Sequence, residues 1–144
     1  MSGTREQIIG ALLARLTAAT TWGEIGRRNR DPNNIASPGA PALLLIKHHE
    51  HYERRSINLP PARTMNLMAI VYIDVGADEN GIPDAVLNPI QDAIDAALAP
   101  DTPQGFCTLG GLAASCLISG EVTNAPGDMT GKGLAVIPID ILIP

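Results

Sequence analysis

Met65-Asn66-Leu67-Met68-Ala69-Ile70-Val71-Tyr72-Ile73-Asp74-Val75 is a run without Pro or Gly, rich in aliphatic side chains, and reads as a β-strand. Successive strand side chains point to opposite faces. Met65, Leu67, Ala69, Val71, Ile73 and Val75 therefore share one face, which is the expected core face. The opposite face carries Met68, Ile70 and Tyr72 between Asn66 and Asp74. A face turned only to water would be more polar than this.

The same pattern recurs to either side. Ala135, Ile137, Ile139, Ile141 and Ile143 form a second apolar face near the end of the chain, and Leu112, Ala114, Cys116 and Ile118 form a third. Upstream, Leu43-Leu44-Leu45-Ile46 opens a strand that continues through Lys47 and the histidines. Between it and Met65, the segment Glu53 to Arg63 holds Arg54, Arg55, Pro60, Pro61 and Arg63. Proline lacks the donor that a central strand needs, so this segment reads as a long hairpin loop or arm with little apolar surface.

Two stretches have helical spacing. Thr4-Arg5-Glu6-Gln7 is a capping box ahead of Ile8, Ile9, Leu12, Leu13 and Leu16, which predicts a helix over about 5–18. Val86, Leu87, Ile90, Ile94, Ala97 and Leu98 predict a second helix beginning near Val86, because Pro89 is harmless only in a first turn. Asp78 to Gly81 reads as a turn, Asp31 to Pro41 as a loop, and Trp22 and Ile25 could anchor a short strand. The order predicts an α+β fold, with an antiparallel or mixed sheet of about four strands and two helices packed on one face. Its 144 residues suit a single domain over 1–144.

Composition excludes several classes. Apolar residues make up 45% and charged residues 17%, which does not fit a disordered chain. Trp22, Tyr52, Tyr72 and Phe106 are all the aromatics, too few for stacking bases. Residues 1–72 hold nine Arg/Lys against five Asp/Glu, and residues 73–144 hold one against ten, so the halves carry +4 and −9. Such segregation suits pairing between copies of the chain. Accordingly Arg27, Arg28, Arg54 and Arg55 are expected at a subunit interface, with Met68, Ile70, Tyr72 and Leu117 on the apolar reverse face. Cys107 and Cys116 read as reduced, buried thiols. No signal peptide or membrane span is recognisable, and a cytoplasmic product is expected.

Chemical motifs fail on inspection. In His48-His49-Glu50-His51, strand alternation puts His49 and His51 on one side and His48 and Glu50 on the other, so they cannot converge on one metal ion. Gly127 to Gly133 lacks the spacing and the Ser or Thr of a phosphate-binding loop. No catalytic residue, metal or cofactor is expected.

Ala85-Val86-Leu87-Asn88-Pro89-Ile90-Gln91-Asp92-Ala93-Ile94-Asp95-Ala96-Ala97-Leu98, then Leu109-Gly110-Gly111-Leu112, Cys116, Gly120-Glu121-Val122 and Ala135 to Pro144 resemble the tail terminator family of long-tailed, lambda-like bacteriophages. The N-terminal helix and Pro41-Ala42-Leu43-Leu44-Leu45 also fit. In that family an aromatic often follows the cysteine, where this chain has Leu117. The resemblance implies a non-enzymatic virion protein of the tail, assembled in the host bacterial cytoplasm. It implies a homohexameric ring that caps the tube, stops addition of the major tail tube protein and presents a surface to head-completion and neck proteins. Another head-tail joining or neck ring component is the alternative. Membrane and sequence-specific nucleic-acid partners are not expected, and a small cytoplasmic enzyme is the remote alternative. The segments Glu53 to Arg63 and Asn124 to Gly133 are the expected docking loops.

Overall fold

Thr4 starts the first helix by closing a reciprocal cap. Its hydroxyl accepts from the Gln7 amide at 3.3 Å, and the Gln7 side-chain oxygen accepts from the Thr4 amide at 2.9 Å. In the computed structural model, which describes residues 3–28, 41–75, 82–125 and 132–144, helix α1 then runs Arg5–Ala19. Ile8, Ile9, Leu12 and Leu16 form its buried stripe. The Trp22 indole N–H donates to the Leu16 carbonyl at 2.9 Å, satisfying an acceptor left open near the helix end.

The strands are β1 (Glu24–Gly26), β2 (Ala42–Glu53), β3 (Ala62–Asp74), β4 (Ser115–Ile118), β5 (Thr123–Ala125) and β6 (Lys132–Ile143). They form one mixed sheet in the order β1-β2-β3-β6-β4, with β5 also on β6. Among the described residues, only the β1–β2 pair is parallel. The expected α+β fold, two helices on a mixed sheet, is what the chain adopts; among the described residues the sheet has six strands, two more than the roughly four the pattern predicts. The additions β1 and β5 span three residues each, too few to show an alternation.

The second helix, α2 (Pro83–Ala97), begins earlier than Pro89 suggests. Pro83 occupies its first turn, where the missing N–H costs nothing, and Pro89 lies inside the helix. An interior proline costs about 3 kcal/mol. Leu87, Ile90 and Ile94 are buried on the same helix, and each such side chain contributes about 1.5–3 kcal/mol, which outweighs that cost. Val86, expected in this buried stripe, is 39% exposed.

Met65, Leu67, Ala69, Val71 and Ile73 of β3 and Ala135, Ile137, Ile139, Ile141 and Ile143 of β6 are all buried, with both helices over them. The alternation reading holds for these central strands. In β4 it holds as well, with Cys116 buried, Ile118 packed against the same core and Leu117 exposed; ahead of that strand it fails, because Ala113 is buried and Ala114 exposed. Leu109, Gly110 and Gly111 all have positive φ (53°, 76° and 93°), so a turn replaces the expected start of that strand. The predicted turn at 78–81, the loop at 31–40 and most of the glycine-rich segment at 124–133 lie outside the described residues.

A register shift between Lys47 and His49 divides β2. Before it, Leu43 and Leu45 pair with Val71 and Ala69 on the helix side. Beyond it, Glu50 pairs with Met65 and Tyr52 with Arg63, so even-numbered residues now face the helices. Pairing continues to Glu53↔Ala62. The expected loop is therefore a two-stranded arm with a short tip.

Candidate interaction surfaces

The reverse face of the sheet is built in rows by strand register. Ile46, Met68 and Pro138 form one row, Leu44, Ile70 and Val136 the next, and Ala42, Tyr72 and Leu134 the third. Ala42 and Leu44 are fully buried, with Ile46, Ile70 and Tyr72 packed against them. Met68, Ile70 and Tyr72 are half-buried, and Leu117 on β4 is 48% exposed. The fold thus brings the four predicted apolar residues onto one face, with Leu117 a row away from Met68, beside the Asn66–Asp140 pair.

That pair interrupts the apolar rows. The Asn66 amide nitrogen donates to Asp140 Oδ1 at 2.8 Å, and Asn66 Oδ1 is buried without a partner. Turning the amide over would set oxygen against carboxylate, so the orphaned acceptor follows from the chemistry of the pair. Next to it, His49 and His51 face the same side through their pairing with Asn66 and Thr64. His48 and His49 hold each other by their Nδ1 atoms at 2.7 Å. Among the described residues, no group of three His, Cys, Asp or Glu could hold a metal ion.

The predicted arginines divide. Arg27 is engaged within the chain, donating to both oxygens of Glu6 at 2.8 and 3.0 Å and lowering the pKa of that carboxyl. Arg55 forks onto the Pro60 carbonyl through Nε and Nη2 at 3.0 and 2.9 Å, which folds the arm's tip on itself. Arg28 and Arg54 are exposed and have no ion-pair partner among the described residues.

The tip carries more apolar surface than its prolines and charges predict. Ile57 is 87% exposed and Leu59 56%, both presented between the Arg55 clamp and Pro60-Pro61. Their sequence signal was an apolar pair ahead of two prolines in an otherwise charged segment. The arm's base is anchored to α1: Arg5 donates to Glu50 at 2.5 and 3.0 Å and to the Tyr52 hydroxyl at 2.8 Å, and Lys47 lies 2.6 Å from Glu50. With hydrogen bonds from Arg5 first and Lys47 second, Glu50 is held down at about 2.

An open groove of about 620 Å³ runs between the C-terminal halves of the helices, lined by Arg15, Ala18, Ala19, Ala93, Ala96 and Ala97. Among the described residues Arg15 is its only charged lining residue, and it is committed elsewhere. It donates to Asp101 Oδ2 at 2.8 Å and lies 3.4 Å from Cys107 Sγ. Asp101 in turn accepts from the Thr108 amide and hydroxyl, both at 2.8 Å, and from the Gly110 amide at 3.2 Å. These bonds, led by the Thr108 amide, hold its carboxyl well below the usual carboxylate range. Cys116 is buried and its thiol is pushed up to about 12, chiefly by desolvation. A nucleophilic thiolate is not what this site provides.

No protein-family model and no curated protein matches the chain. Among solved structures, it is similar to a chain of the "Virion of native gene transfer agent (GTA) particle". The likeness has a TM-score of 0.54 at 12% identity and covers 98% of this chain and 95% of that one. The two share a fold. None of the described helices is long and apolar enough to cross a membrane.

Proposed function

We propose that the chain is a structural virion protein that acts as a tail terminator, forming a homohexameric ring on the end of the tail tube. The observation that carries this reading is the near end-to-end likeness to a gene transfer agent virion chain, which agrees with the terminator-like segments of the sequence. In this account the ring stops addition of the major tail tube protein and presents its outer surface to head-completion and neck proteins. The reading has no catalytic step: among the described residues the groove is walled by alanines and Arg15, which is already paired with Asp101.

Charge and apolar surface support association. The first half of the chain carries +4 and the second −9. A ring requires a heterologous contact, one patch meeting a different patch on the next copy, and unlike halves suit it. Met68, Ile70, Tyr72 and Leu117 supply apolar surface for subunit or tube contacts, and Arg28 and Arg54 supply cations without an ion-pair partner among the described residues. Arg27 and Arg55 serve that interface through the conformation they hold.

The test is polymerisation of the tail tube protein of the same virion. Added chain is expected to stop tube growth and remain at one end. Unchanged growth with no end-bound chain contradicts the terminator role, and binding to head connectors alone assigns the chain to the neck.

A further inference from the structure

The arm's tip and the alanine groove lie at opposite ends of the molecule. Arg5, in the first turn of α1, grips the arm at Glu50 and Tyr52, whereas Ala18 and Ala19 line the groove from the last turn. A 15-residue helix is about 22 Å long. After α1 the chain enters β1, whose Glu24 pairs with Ala42 at the start of β2, and the tip follows Glu53 at the far end of that strand. Twelve strand residues span about 35–40 Å. A copy's own tip does not reach its own groove.

The two surfaces are complementary. The tip offers Ile57 and Leu59 as apolar knobs, held by the Arg55–Pro60 clamp, with Arg54 beside them, exposed and without an ion-pair partner among the described residues. The groove offers alanine walls and room for both knobs. On α2, Asp92 lies one helical turn before the lining residue Ala96 and so shares its side of the helix, with Asp95 next to Ala96 in sequence; both are exposed and without an ion-pair partner among the described residues. Cation meets anion around an apolar centre.

We infer that the hairpin tip of one copy seats in the α1–α2 groove of the next copy, Ile57 and Leu59 against Ala93, Ala96 and Ala97, with Arg54 facing Asp92. This rests on the proposed ring and names its contact. Because knob and socket lie at opposite ends, each copy donates one and receives one. That is the head-to-tail relation from which closed rings are built.

The experiment pairs a cross-link with a charge reversal. In the double variant Ile57→Cys, Ala96→Cys, oxidation is expected to give a ladder of intermolecular disulfides that neither single variant gives. Ile57→Glu with Leu59→Glu is expected to fold normally and associate at least about 30-fold more weakly, since charge would enter an apolar socket. Ala96→Leu, which fills the socket on an exposed helix position, is expected to do the same. No ladder, or undiminished assembly of both blocking variants, overturns the contact and leaves the ring reading standing. A ladder without rings on tubes supports the contact and removes the ring reading.

Discussion

Arg5 and Glu50, 45 residues apart in sequence, join the first turn of α1 to the base of the hairpin arm through a two-pronged ion pair at 2.5 and 3.0 Å. The pair exists because β2 shifts register between Lys47 and His49. Without that shift, strict alternation from Leu45 would turn Glu50 away from the helices. One irregularity in one strand therefore sets the arm's anchorage.

The Glu50 carboxyl should make arm docking acid-sensitive. Its folded value, about 2, lies below the ordinary 4.5, so the stabilisation is present above about pH 4.5 and lost as pH falls toward 2. Protection from amide exchange across 49–53 and 62–66, taken relative to the intrinsic rate at each pH, should fall over that window. In Glu50→Gln that protection should be low already at neutral pH and lose this pH dependence.

Ile94→Ala should destabilise the protein by about 2–5 kcal/mol, because Ile94 is fully buried between α2 and the sheet. Val86→Ala, on the same helix but 39% exposed, should change stability by less than about 1 kcal/mol. Urea unfolding of the two variants separates them. Equal losses would contradict the placement of the helix face.

That contrast marks how far the sequence could be read. The faces of β3 and β6 were legible because period-two alternation survives over 13 and 12 residues in the centre of the sheet. The capping box at Thr4 was legible because both partners are local. The start of α2 was not, because buried side chains override the local penalty of Pro89. The bulge in β2 left no Gly or Pro to announce it. Of the candidate site, the apolar reverse face could be read from alternation. The groove could not, because it forms only where α1 and α2 pack.

Asp101→Ala should loosen the loop over 101–113, where that carboxylate serves Thr108, Gly110 and Arg15 at once. A cost of about 0.5–1.5 kcal/mol is expected, because water can reach the freed donors. Exchange of the Thr108 and Gly110 amides should quicken, which amide-resolved NMR reads directly. Retained protection at both would show that the turn is held by its backbone alone.

Arg54→Glu should weaken association at low salt by about tenfold and much less at 1 M salt, where surface charges are screened within about 3 Å. Sedimentation at two ionic strengths gives the comparison. The fold should be unaffected, since Arg54 is exposed and carries no contact within the chain among the described residues.

Electron microscopy of tubes assembled with the chain tests the central claim most directly. The account predicts a single ring of sixfold symmetry at one end of each tube, with neighbouring subunits related head to tail. Twofold dimers as the only assembly, or tubes whose ends carry no added density, would contradict it.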